Sequence, residues 1–77
     1  MKNYVDVIAR FDKSGKITPL KIRIGEFEVH MVDRVVDVRR AASLKSGGAG
    51  LRYTCYINGV LTYLFLDGGK WFYEPAV

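Results

Sequence analysis

The sequence predicts an all-β fold: a small, strongly bent antiparallel sheet or SH3-like barrel of six or seven strands, with at most one short helical turn. Three observations carry this. Apolar residues alternate with polar ones over most of the chain, the period of a half-buried strand. Two aromatic-rich runs, 51–57 and 60–66, flank Asn58-Gly59, a preferred two-residue hairpin turn. No stretch sustains a helical period. At 77 residues the chain is one domain, 1–77. A short, edge-rich sheet is best closed by curling on itself.

The elements follow in order. From Tyr4 to Phe11, Val5, Val7, Ala9 and Phe11 alternate with Tyr4, Asp6, Ile8 and Arg10, which predicts a strand. Asp12-Lys13-Ser14-Gly15-Lys16 ends it with turn formers and charge. Leu20, Ile22 and Ile24, then Phe27, Val29 and Met31, read as a hairpin turning at Gly25-Glu26. That turn would set Ile24 opposite Phe27, Ile22 opposite Val29 and Leu20 opposite Met31, with an Arg23–Glu28 pair outside. Pro19 cannot donate to a ladder, so it belongs near a strand start or on an edge. Val35–Arg39 reads as a further short strand joined through Asp33-Arg34. Residues 39–50 carry no strand pattern and read as a helical turn or a loop.

The Asn58-Gly59 hairpin sets Ile57 opposite Val60, Cys55 opposite Thr62, Tyr53 opposite Leu64 and Leu51 opposite Leu66. Its other face pairs Tyr56 with Leu61, Thr54 with Tyr63 and Arg52 with Phe65. Neither face is polar, so something must cover the second one. A turn at Gly68-Gly69 then brings Phe72 beside Phe65 and Tyr73 beside Leu64.

Composition narrows the function. Cys55 is the only cysteine and His30 the only histidine, which excludes an internal disulfide and a Cys/His zinc cluster. No metal and no cofactor is expected. A lone cysteine suits a reducing, cytoplasmic setting. Lys2 and Asp6 fall where the apolar core of a leader would lie, and no apolar run approaches the roughly 20 residues of a membrane helix. Neither a leader nor a membrane partner is expected. A chain this short buries only about 60–65% of its unfolded surface, which leaves a partner subunit as a plausible staple. Twelve Lys/Arg against eight Asp/Glu, a formal +4, permits a polyanionic partner without demanding one.

Pro19-x-x-Ile22-x-Ile24-Gly25-x-Phe27-x-Val29, then Asp33-x-Val35-Val36-Asp37-Val38-Arg39, and finally Tyr53 through Trp71-Phe72-Tyr73-Glu74 cover most of the chain. On these residues it resembles a group of small bacterial all-β proteins with no assigned activity. The resemblance implies a compact β domain and brings no chemistry with it.

Four constellations stand out. Gly47, Gly48 and their neighbours follow Lys45, the reverse of the order a phosphate-binding P-loop needs. Successive glycine amides can still cradle an anion with help from Arg39, Arg40, Lys45 and Arg52. The plainer reading is a connector that uses glycine for its turns. The face carrying Tyr56, Leu61, Tyr63, Phe65 and Phe72 could stack bases or bury itself in a homodimer or other protein–protein contact. The plainer reading is a second packing layer. Arg10, Lys13, Lys16, Lys21 and Arg23 form a basic stripe that is either a phosphate track or a solvated, edge-protecting face. Cys55 and His30 fall on different hairpins, and the carboxylates are scattered, so the reading is not that of an enzyme. The expectation is a non-catalytic binding module. Its first candidate partner is nucleic acid or another polyanion. The alternative is a second copy of the chain or another protein.

Overall fold

The computed structural model describes residues 2–41 and 50–76. They form six strands: β1 Asn3–Phe11, β2 Ile17–Ile24, β3 Glu28–Arg40, β4 Leu51–Ile57, β5 Val60–Asp67 and β6 Lys70–Pro75. Each pairs antiparallel with its sequence neighbours, and β6 pairs with β1 to close a barrel. The all-β small-barrel expectation therefore holds. The strand number is six because Val35–Arg39 is no separate element; it is the second half of β3.

Two strands turn the corners of the barrel. β1 pairs with β6 over Asn3–Val5 and with β2 from Asp6 onward. β3 pairs with β2 up to Met31 and with β4 from Val32 to Arg40. Asp33 and Val36 are extra residues in β3, and Leu20 is one in β2. Bulges of this kind bend a strand and increase its twist, which is how one strand serves two sheets. Asp33-Arg34, read from sequence as a join, is thus a bulge within a continuous strand. The Asp33 carboxylate accepts a hydrogen bond from the Gly59 amide at 2.7 Å, tying the β4–β5 turn to this bulge.

The β4–β5–β6 meander follows the predicted register throughout, from Ile57↔Val60 to Leu51↔Leu66 and from Asp67↔Lys70 to Leu64↔Tyr73. Asn58 and Gly59 have φ of 53° and 79°, the left-handed conformation their turn requires. Ile22, Tyr53, Cys55, Ile57 and Leu64 fill the interior, with half-buried Val5, Val35 and Trp71 packed against them. Gly50, where the chain enters β4, passes so close to β5 that a Cβ there would collide with the Leu66 carbonyl oxygen.

The β2–β3 hairpin departs from the predicted register. Ile24 faces Glu28, Arg23 faces Val29, Ile22 faces His30 and Lys21 faces Met31. The loop has three residues, Gly25-Glu26-Phe27, instead of two. The one-residue shift sends Val29 and Met31 to the outer surface and leaves Phe27 92% exposed. The predicted Arg23–Glu28 pair is replaced by two others. Arg23 pairs with Asp6 on β1, and Glu28 meets His30 at 3.1 Å.

Candidate nucleic-acid interface

The ladder between β3 and β4 sets Arg39 directly opposite Arg52, and Arg40 opposite Leu51. Arg39, Arg40 and Arg52 therefore lie at one end of these strands, Arg39 and Arg52 on one face and Arg40 on the other. Lys45, Gly47 and Gly48 lie outside the described residues. Opposed cations on one face of a sheet repel each other. Asp37 offsets part of that repulsion. As the residue two before Arg39, it shares the same face, and its carboxylate takes the Arg39 Nε at 2.7 Å. That hydrogen bond, with the charges of Arg39 and Arg52, holds the Asp37 carboxyl below the ordinary value of 3.8.

Arg52 opens a row that runs across the outer face: Arg52, Phe65, Phe72, Tyr4. Its guanidinium carbon sits 4.7 Å from the centre of the Tyr63 ring. Its Nε is buried and has no hydrogen-bond partner among the described residues. One strand position further, Arg34 lies 5.1 Å over Tyr56. The two tyrosines expected to stack a ligand thus each already carry an arginine, and Leu61 is half-buried beside Tyr56 across the ladder.

Phe65 and Phe72 need a different description. They are only 3% and 2% exposed, and their rings stack on each other at 4.8 Å. Tyr4 meets Phe72 edge-on at 6.0 Å, and the Lys2 ammonium lies 4.9 Å over the same ring. These two rings form an outer packing layer within the chain and offer no free face to a base or a second copy. Their burial fits the plainer reading, a second packing layer.

The basic stripe on β2 is diluted. Lys21 lies between Ile8 and Met31, and Arg23 between its partner Asp6 and Val29. Cys55 is fully buried, and desolvation pushes its thiol up to about 11. Its sulfur faces the Tyr53 and Thr62 carbonyls at 3.8 and 3.7 Å, whereas His30 is engaged with Glu28. Among the described residues no three His, Cys, Asp or Glu side chains gather as metal ligands would.

Sequence reasoning missed Asp37, Arg34 and Lys2. The signal for Asp37 was present as Asp-x-Arg on a strand, a same-face spacing. The cations over Tyr56 and Phe72 depend on pairings between strands distant in sequence, which no local pattern announces. Comparison with known proteins adds nothing to this geometry: no protein-family model matches the chain, and neither does any curated protein or solved structure.

Proposed function

We propose that this chain is a non-catalytic module that binds a polyanion through Arg39, Arg40 and Arg52. One observation carries the reading. Two arginines face each other across a sheet, and the one carboxylate paired with either among the described residues, Asp37, is held by Arg39. That arrangement costs stability in the free protein and is relieved by a bound anion. The Arg52 Nε, buried without a partner among the described residues, adds to the same cost. Self-association through the aromatic face is less favoured, because Phe65 and Phe72 are already covered within one chain. A nucleophilic role for Cys55 fits poorly with a buried, neutral thiol.

The test is a salt titration with a short single-stranded oligodeoxynucleotide. Each phosphate contact contributes about −0.7 to the slope of log K against log salt. Arg39→Ala and Arg52→Ala each reduce the slope by about one such contact. Asp37→Asn releases Arg39 and tightens binding. No binding of this or any other polyanion at low ionic strength, or binding indifferent to salt and to these variants, refutes the reading.

A further inference from the structure

The β2–β3 ladder ends at Lys21↔Met31, although both strands continue. Beyond that point Ile17–Leu20 and Val32–Arg40 separate around a cleft of about 340 Å³, lined by Ile17, Thr18, Val35, Val38 and Tyr53 with Lys16 at its rim. The two edges of this cleft differ. On the β2 side, the Asp12 amide bonds to the Lys16 carbonyl, which sets the phase of the β1–β2 ladder. Main-chain groups alternate in direction along a strand, so those of Ile17 and Pro19 face the cleft. Pro19 has no N–H to offer. The Ile17 carbonyl already accepts the Tyr53 hydroxyl at 2.9 Å. The β2 edge is therefore half closed to further pairing, with only the Ile17 N–H and the Pro19 C=O left.

The β3 edge is open. The Ala41 amide bonds to the Gly50 carbonyl, so Ala41 and Arg39 face β4 while Arg40 and Val38 turn their N–H and C=O groups toward the cleft. Among the described residues, none pairs with those groups. Val36 and Val38 are 54% and 43% exposed, so the side chains do not shield the edge. An open strand edge with an apolar trough beside it is the geometry of strand addition.

We infer that the β3 edge at Val38–Arg40 takes an extended acidic peptide as an added strand. The inference rests on the anion-binding reading of Arg39 and Arg40, and it names the kind of polyanion. Charge selects the occupant. Arg39 and Arg40 lie on the edge strand, Lys16 lies across the cleft, and the nearby Asp37 is engaged by Arg39. A second copy pairing through this edge would set the same cations against each other, whereas acidic residues alternating with apolar ones complement both the cations and the valine-lined trough. A nucleic acid would use neither the main-chain groups nor the trough.

The experiment is an amide NMR titration of the intact chain with two probes, a blocked Glu-Val-Glu-Val-Glu pentapeptide and a short oligodeoxynucleotide. The expected result is a saturable shift of the Val38 and Arg40 amides with the peptide. The shift disappears when alternate peptide nitrogens are methylated, and it weakens several-fold with Arg40→Glu. Val38→Pro removes the outward N–H and abolishes binding while the β4–β6 resonances stay in place. Should that variant unfold, the methylated peptide carries the same test from the ligand side. Equal binding of the methylated peptide, or of a Lys-Val-Lys-Val-Lys analogue, overturns the inference. If the oligonucleotide moves Arg39 and Arg52 while the pentapeptide moves nothing, the inference falls and the anion-binding reading stands. If neither probe moves anything, both fall.

Discussion

Cys55 shows how much one side chain can reveal. It lies between Tyr53 and Ile57 on β4, pointing into the barrel, and its thiol is held neutral by loss of solvent. Its place between Tyr53 and Ile57 on an apolar strand face made its burial legible in the sequence. The folded thiol titrates at about 11, against an ordinary value of 9.0. Because the folded value is the higher one, this contribution to stability is intact below about pH 9 and is lost as pH rises through about 11. Tyr53 acts with the same sign. Burial raises its phenol above 10.0, and ionisation also removes the donor that holds the Ile17 carbonyl. Urea unfolding followed by circular dichroism should show stability falling steeply above pH 9, and Cys55→Ala should flatten the first part of that fall. A wild-type profile that stays level through this range would contradict the assignment. The Arg39–Asp37 pair was less legible. Each residue was visible, but their joint role depends on Arg52 arriving from another strand.

The two predicted hairpins show why one element is readable and another is not. Asn58-Gly59 admits one solution, since both residues must adopt positive φ and the flanking apolar runs agree with that turn. Gly25-Glu26 offers only one such residue, and a three-residue loop fits as well. A two-residue turn there gains its support from gathering every apolar side chain on one face. That criterion fails here because Leu20 is a bulge residue, so the faces before and after it are out of step. The outer surface of β1–β3 consequently carries Ile8, Val29 and Met31. A pair of substitutions separates the two registers. Phe27→Ser should change stability by no more than about 0.5 kcal/mol, as for an exposed loop position. Phe72→Ala should cost about 3–5 kcal/mol, as for a buried aromatic. Both are measured by equilibrium denaturation. A large loss at Phe27 would restore the two-residue turn.

The whole molecule was legible as a class and not as a circuit. Turn chemistry and alternation were enough for a small barrel, because four of the five neighbouring pairs, all but β3 and β4, are joined by loops of two to five residues. The closing pair is another matter. Asn3↔Tyr73, Tyr4↔Phe72 and Val5↔Trp71 join the two ends of the chain, and no local pattern marks them as partners. That pairing also answers the question raised by the two apolar faces of the β4–β5 hairpin. Part of the cover comes from β1, through Tyr4 on Phe72.

The same seam imposes an order in time. A two-residue turn closes at little entropic cost, whereas the β1–β6 seam must gather nearly the full length of the chain before any of its contacts form. The β4–β5–β6 meander should therefore be structured at the rate-limiting step, and the seam should fasten afterwards. In stopped-flow experiments Tyr4→Ala should speed unfolding and leave the folding rate almost unchanged. Gly59→Ala, which forces a side chain onto a φ of 79°, should slow folding instead. If Tyr4→Ala slows folding as much as it destabilises, the seam forms early and this order is wrong. With the proposed order, the barrel spends its folding time as an open ribbon, and the last event that makes it a barrel is the joining of its first strand to its last.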